Sequence, residues 1–476
     1  MTWQHCLVAL CVLASGRGAI CSATDTGYKS SSSVLLVSPP LAGHVLPLVR
    51  LGSELLNRGH NVFFCSTEVT GWNFTWEVCE THGIKYMSAG PDPSMSEFYG
   101  SIEAAREMTS ARTLFLAQSF IAHTQRVIVN FLDHPSYKQW DIVVFEFMLE
   151  ASGIYLAEKW SVPVVFNSVT CSFTPMLLPK WPFPVLGTEY TDNLSFLQRF
   201  YTATVALPVA YLVKLTTVIQ TRLALGYGNY PSISTLMSSG VGVNYPLLVD
   251  TVIGFEFPRS RLPLIHYVGP LFSRKNPIDR LTDDIQNWLN SAGDHSRGVV
   301  FVSMGSIARL TREMARVIVT SIHSANYSTL WSLGASTRLI FNDTDFGEGK
   351  ILVKQWMPQM AVLGHHSVRV AILHCGLGGV QEALYNGVPI ICMPQMFDQR
   401  ENGVRATHHG FGMTLDLNAL TVKQLMGAIL KVDDAPHRKA ALQTSHMFLA
   451  AGGVHKALEL IEHYQEIGYK HLQLFP

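Results

Sequence analysis

Cysteine is scarce and scattered in this sequence. Its 476 residues hold eight, Cys6, Cys11, Cys21, Cys65, Cys79, Cys171, Cys375 and Cys392. That is too thin for a disulfide framework, and with no C-x-x-C pair it argues against a structural zinc site or a redox dithiol. An excess of one charge is also missing. Thirty-five basic side chains balance thirty-five acidic ones, so no positive surplus advertises a nucleic acid or an anionic surface as partner. Residues 463–476 are polar and aromatic, and no run of eighteen apolar residues lies near them, so no C-terminal transmembrane helix is expected. There is no short-period repeat. Apolar residues are what the chain has: 48% are hydrophobic and 15% charged, which excludes a disordered chain and fits two sizeable cores.

Residues 1–21 join an apolar stretch, 6–14, to small residues and a Gly16-Arg17-Gly18 break. That layout suits a signal peptide better than a membrane span, although His5 is the only potentially positive side chain ahead of it. N-x-S/T triplets at Asn73, Asn193, Asn326 and Asn342 fit passage through the secretory pathway. The expected protein is therefore lumenal in the endoplasmic reticulum or secreted, soluble or in peripheral contact with a membrane. The most apolar internal stretch, 201–219, is interrupted by Pro208 and Lys214. It predicts a buried or interfacial helix pair rather than a span. Trp181-Pro182-Phe183-Pro184 before it predicts an irregular loop.

Short apolar β-type runs alternate with amphipathic segments in both halves, the pattern of α/β domains whose parallel sheets are covered on both faces. In the first unit, residues 33–37 predict a buried strand, 39–44 a tight loop, 45–58 a helix closed at Gly59 and 61–65 the next strand. Further strands are expected at 142–145 and 162–166, and residues 273–280 read as a linker. A second series follows, with strands at 299–303, 329–333, 351–354, 368–373 and 389–393 and helices near 312–325 and 379–386. Ligands of such sheets collect at the carboxyl ends of the strands, which directs attention to loops 39–44, 303–306, 374–379 and 394–399.

The most informative segment reads Trp356-Met-Pro-Gln359, then His374-Cys-Gly376-Leu-Gly-Gly379-Val-Gln-Glu382, then Asn386-Gly-Val-Pro389 and Pro394-Gln-Met-Phe-Asp398-Gln399. A strand running through small residues into a helix lets the backbone approach an anion, with free N–H groups and the positive helix end facing it. A diphosphate is the natural occupant. Trp356 can lay its ring against a flat base. The whole segment resembles the donor-binding signature of the UDP-glycosyltransferases, which include plant small-molecule glycosyltransferases and animal glucuronosyltransferases. Gly43-His44-Val45 and Val302-Ser-Met-Gly-Ser306 match as well.

The resemblance implies a GT-B fold, two Rossmann-like α/β domains facing across a cleft. Residues 22–270 would hold the acceptor and 271–453 the UDP-sugar, while a helix within 454–476 would pack back toward the first domain. It implies further that His374, Gly376, Gly378 and Gly379 lie against the pyrophosphate, with Ser306 reaching it from the facing loop. Trp356, Met357 and Gln359 would take the uracil, Glu382 the ribose hydroxyls, and Asp398 and Gln399 the sugar. His44 is the catalytic candidate: placed just before a helix, its imidazole should be kept unprotonated by the positive helix end and available as general base. In relatives an Asp after a later strand orients this histidine. Here Glu146 stands at that point, with a longer arm that needs a different backbone distance. No cofactor and no metal is expected beyond the UDP-sugar.

Two departures matter. Gly378-Gly379 replaces the family's usual Asn, or Asn-Ser, and so keeps backbone donors but loses a side-chain one; Leu377 replaces the Trp common in plant members. The animal membrane helix and basic tail have no counterpart. Three other readings compete. Gly376-Leu-Gly378-Gly379 with Asp398 downstream partly matches a nicotinamide fingerprint, but Gln381 holds its third glycine position. Asp343-Thr344-Asp345 could be the ligand pair of a metal-dependent transferase, though it overlaps a sequon in a polar loop. A non-catalytic UDP-sugar- or lipid-binding protein is conceivable from Glu146 and Gly378, against which stands the retained His44. The expected function is an inverting transfer of a hexosyl group, glucose or glucuronic acid, from a UDP-sugar to a hydroxyl of a lipophilic small molecule. Its pocket would be built from residues 95–120 and 173–225.

Overall fold

The computed structural model describes residues 31–473 except 71–72, 95–96, 98–109, 138, 170–187, 226–240, 259–261, 273–279, 295, 306–309, 334–350 and 397. The expected signal peptide, Trp181-Pro182-Phe183-Pro184, Ser306, Asn342, Asp343-Thr344-Asp345 and almost all of the expected linker lie outside the described residues.

Two sheets carry the fold. The first contains β1 (Ser33–Val37), β2 (Asn61–Glu68), β3 (Lys85–Pro91), β4 (Ile142–Glu146), β5 (Val164–Ser168), β6 (Leu247–Val249) and β7 (Ile265–Tyr267). The second contains β8 (Val299–Ser303), β9 (Ser328–Ser332), β10 (Ile351–Lys354), β11 (Val368–Leu373), β12 (Ile390–Cys392) and β13 (Gly412–Thr414). The first is ordered β3-β2-β1-β4-β5-β6-β7 and the second β10-β9-β8-β11-β12-β13. Every pairing between these strands is parallel. Both orders run outward from a central pair in the doubly wound manner. The cause is in the sequence: Ile142-Val-Val-Phe-Glu146 and Val299-Val-Phe-Val-Ser303 are buried along their whole length, as strands covered on both faces must be.

Four differences from the sequence reading bear on function. The first helix is Ala42–Asn57, because extended Leu41 caps it and the Leu41 carbonyl accepts from both His44 and Val45. His44 therefore sits in the first turn rather than ahead of the helix. The helix after β11 begins at Leu377, not Gly379, with Gly376 as its N-cap. Cys375 and Cys392 are joined as a disulfide with a Cα–Cα distance of 5.3 Å, since β11 and β12 are adjacent and parallel and bring their carboxyl ends together. Finally, the apolar stretch forms helices Phe196–Tyr201 and Leu207–Leu225 joined by a π-helical turn, and most of its large apolar side chains are exposed, which excludes the buried alternative and leaves the interfacial one. Phe196 is 78% exposed and Leu212 60%.

Helix Gly453–Ile467 closes the chain. Its Val454, Ala457, Leu458, Ile461 and Tyr464 belong to the same buried cluster as Val34, Leu48 and Val49 of the first domain, and Tyr464 Oη meets His266 Nε2 at 2.6 Å. The turn into it is tight: Gly453 has φ +53°, and a Cβ there would lie 2.7 Å from the Pro270 carbonyl. Leu458→Ala empties a fully buried site in this seam, and chemical denaturation should show a loss of about 2–5 kcal/mol.

Candidate functional site

Ligands of doubly wound sheets bind where the strand order reverses, outside the carboxyl ends of the central strands. In the first sheet that point lies between β1 and β4, and in the second between β8 and β11. His44 follows β1 and Glu146 ends β4; Gly305 follows β8 and His374 follows β11. The two reversal points thus hold the residues that the sequence singled out.

His44 Nδ1 lies 2.9 Å from Glu146 Oε1. The longer glutamate arm therefore does reach. Its backbone supports the reach: Glu146 is buried in β4, and its Oε2 accepts from the Met148 N–H at 2.8 Å, capping the 3-10 turn Phe147–Leu149. Burial pulls the His44 pKa down, but the Glu146 carboxylate, aided by Asp398 across the cleft, outweighs it and leaves the imidazole above the ordinary 6.5. The expected protection from protonation by the helix end is thus overturned. The magnitudes explain why: a helix end contributes about 0.3–1 kcal/mol, whereas a unit charge at about 4 Å contributes about 4 kcal/mol in a semi-polar environment. The side chain is still 20% exposed.

Across from it, His374 is locked by its neighbours. A Cβ at Gly305 would come within 2.8 Å of its ring, and one at Gly376 within 2.6 Å of its Nε2. Its Nδ1 lies 3.5 Å from the Ser303 carbonyl, and burial lowers its pKa. A side chain at either position would displace the ring, and Gly305, at φ +77°, has in addition a backbone conformation that favours glycine. Cys375 takes a left-handed φ of +64°; its disulfide and the Asn402 Nδ2 bond to its carbonyl at 2.9 Å hold it there. Beyond it, a Cβ at Gly378 would meet nothing within 4 Å. The start of helix Leu377–Tyr385 is left open for an anion.

The remaining candidates line the same wall. Trp356 is 61% exposed while Met357 beside it is buried, so the indole is presented and its neighbour anchors the turn. Gln359 opens helix Gln359–Leu363, with its Nε2 3.4 Å from where a Gly379 Cβ would be. Asp398 precedes helix Gln399–His408 but makes no capping bond; it accepts from Asn402 Nδ2 at 2.9 Å. Burial raises its pKa, opposed by Asn402, Arg405 and His44. Gln399 is buried and folds its Oε1 back onto the N–H groups of Gln395 and Met396 at 2.8 and 3.0 Å. Glu382 Oε1 meets Arg50 Nη2 at 3.0 Å, so in this structure the carboxylate assigned to ribose also ties the two domains.

Arg50, Asn167, Asp250, Gln381 and Asn402 were missed by the sequence reading. Nothing in their spacing marks them. Arg50 lies two turns beyond His44, with its guanidinium 4.8 Å over Phe272, and only tertiary packing brings it to Glu382. Among the described residues, no group of three or more His, Cys, Asp or Glu could hold a metal ion.

Comparison with known proteins identifies the family profile and the fold. The family profile described as "UDP-glucoronosyl and UDP-glucosyl transferase" matches residues 100–450. UDP-glucuronosyltransferase 2C1 of Oryctolagus cuniculus is 27% identical over 442 residues, covering 88% of this chain and 82% of the relative. UDP-glucuronosyltransferase 2B7 of Homo sapiens is 25% identical over 329 residues, covering 65% and 58%. The solved glycosyltransferase of kitacinnamycin superposes with a TM-score of 0.63 at 18% identity, covering 91% of this chain and 99% of that one. Arabidopsis thaliana UGT89C1 complexed with UDP gives a TM-score of 0.62 at 16% identity, covering 91% and 99%. The fold is GT-B, two Rossmann-like domains.

The charge balance at His44 is testable by itself. Glu146→Gln removes the largest influence that raises the pKa and leaves burial, which lowers it, so the His44 midpoint in an NMR titration should move down from its native value. An unchanged midpoint would show that Glu146 does not set it.

Proposed function

The chain belongs to the UDP-glucuronosyl and UDP-glucosyl transferase family and is a UDP-dependent glycosyltransferase, and on that premise we propose that it works by a single inverting displacement. A hexosyl group, glucose or glucuronic acid, passes from the UDP-sugar to a hydroxyl of a lipophilic small molecule. The observation that carries this is the contact of His44 with Glu146 in a position where the charge of Asp398, from the other domain, acts on the same ring. His44 Nε2 removes the proton of the acceptor hydroxyl, the oxygen attacks the anomeric carbon, and the bond to UDP breaks. Glu146 stabilises the imidazolium that forms. The same contact favours a transferase over the non-catalytic alternative.

In this reading residues 22–270 hold the acceptor, residues 271–453 hold the donor, and 454–476 tie the end of the chain to the first domain. UDP departs into the N–H groups from Gly376 to Gly379 and the end of helix Leu377–Tyr385, with His374 beside them; the Ser306 hydroxyl is assigned to the same diphosphate. No step is routed through a metal. Because the Ser303 carbonyl can only accept, His374 Nδ1 carries the proton when the ring is neutral. A diphosphate at Nε2 favours a second proton. Trp356 stacks on the uracil, with Met357 and Gln359 at its edge, while Asp398 and Gln399 face the sugar. Glu382 takes the ribose, sharing its carboxylate with Arg50 or exchanging one partner for the other.

The surroundings suit a lipophilic acceptor. Helices Phe196–Tyr201 and Leu207–Leu225 expose Phe196, Leu197, Phe200, Val209, Leu212 and Leu223, and the segment Phe196–Leu223 is long and apolar enough to cross a membrane by length and composition. We read it as a surface that rests on a membrane from which such an acceptor is drawn. Passage through the secretory pathway is supported by the exposure of Asn73, Asn193 and Asn326.

His44→Ala should lower turnover on the order of 10²–10⁴-fold, as loss of a general base does, with UDP binding retained. Near-native turnover in a UDP-release assay would remove His44 from that role. Trp356→Ala should weaken UDP binding by about 1–3 kcal/mol, measured by calorimetry; unchanged affinity in the folded variant would reject stacking.

A further inference from the structure

A second carboxyl group stands behind the His44–Glu146 pair. Glu146 of β4 is in register with Asn167 of β5, β5 pairs with β6, and Asp250 directly follows β6. Three neighbouring strands thus bring Glu146, Asn167 and Asp250 to their carboxyl ends, with Asp250 two residues beyond Leu248, the register partner of Asn167. All three are buried, with exposures of 1%, 0% and 2%. Asn167 Nδ2 is 2.5 Å from Asp250 Oδ1. The Asp250 N–H donates to the Ser168 carbonyl at 3.0 Å, and the Asp250 carbonyl accepts from Gln381 Nε2 of the donor helix at 2.5 Å. Its backbone is fixed from both domains.

The side chain is the unusual part. Among the described residues, nothing meets Asp250 Oδ2 or Asn167 Oδ1. Among the described residues no cation acts on Asp250; the charged group that does is Glu146, beyond which stand His44 and then Asp398. A buried carboxylate without a cation is costly, and a second anion beside Glu146 adds repulsion. The amide's oxygen and nitrogen are assigned rather than distinguished. Turned over, the Asn167 oxygen would accept a hydroxyl proton from Asp250.

We propose that Asp250 is a positioning residue of the transfer reaction, acting as a neutral carboxylic acid that holds Asn167 against Glu146 and leaves Glu146 the sole anion behind His44. This rests on the dyad reading given above. The neutral acid gives one proton to a hydrogen bond and keeps it; no proton passes to the reactants. Consistently, burial pushes the Asp250 pKa well above its ordinary 3.8 against the pull of the Asn167 bond, and the smaller influence of the Glu146 charge adds to the rise.

Two replacements test it. Asp250→Asn supplies an amide N–H in place of the acid O–H, whereas Asp250→Ala supplies nothing. The alanine variant should lose on the order of tenfold to a hundredfold in kcat, the scale of a misplaced catalytic group, with the KM for the UDP-sugar within about twofold; the asparagine variant should recover most of that loss. The stability comparison needs no activity. The native protein keeps Asp250 protonated while its unfolded chain ionises above about 3.8, so stability is lost as pH rises from there toward the folded-state pKa. The asparagine variant escapes this penalty. Its Tm should therefore gain on the native Tm as pH goes from about 4 to 8. A gap that is flat, or moves the other way, would show that Asp250 is not a neutral acid and overturn the proposal. If Glu146→Gln lowers turnover but Asp250→Ala does not, Asp250 has no positioning role and the dyad stands. If Glu146→Gln itself has native turnover, the failure is that of the dyad.

Discussion

Parallel pairing in both sheets is the constraint on which the rest depends. When all strands of a sheet point one way, their carboxyl ends and the loops beyond them share one side, and the reversal of strand order opens a crevice there. Two such sheets joined in one chain give two crevices. The first holds a histidine with its carboxylate and the second a glycine-lined helix end; neither is a complete active site. The Arg50–Glu382 ion pair, the bond from Gln381 to the Asp250 carbonyl and the influence of Asp398 on His44 are among the points where the two halves meet.

Within that frame, most of the chemistry is settled by which buried groups carry charge. His44 is pulled toward neutrality by burial and back toward protonation by two carboxylates, whereas His374, with burial and only a carbonyl beside it, goes the other way. Two histidines beside the two reversal points are thus set apart in charge, and in the proposed reaction they do different work: one exchanges a proton with a neutral hydroxyl, the other meets an anion. The disulfide and the Asn402 bond serve the second task by fixing the loop before the donor arrives. Such preorganisation matters because groups that need not move when charge develops stabilise it best.

Much of this was legible in the sequence because strand interiors and phosphate loops are local patterns. The apolar runs of β1, β8, β10 and β11 and the Gly376–Gly379 turn need no partner to be recognised. The rest depends on sequence-distant neighbours. His44 was read as ending a loop because the cap at Leu41 is a backbone event with no side-chain signature. The helix-end effect on its charge was inferred from local position, and a residue about a hundred positions away overrode it. The Cys375–Cys392 link follows from the adjacency of β11 and β12, which spacing alone does not reveal. Asp250 and Asn167 lie in ordinary β-strand contexts, and only the alignment of three strands puts them beside Glu146.

The account's central claim is that one cleft joins the His44–Glu146 pair to a uridine diphosphate site. A crystal structure of the protein with UDP tests it most directly. The diphosphate should lie against Gly376 to Gly379 and His374, with the base on Trp356 and the terminal phosphate directed toward His44. UDP bound at another surface, or in this cleft with its phosphates turned away from the loop, would contradict it.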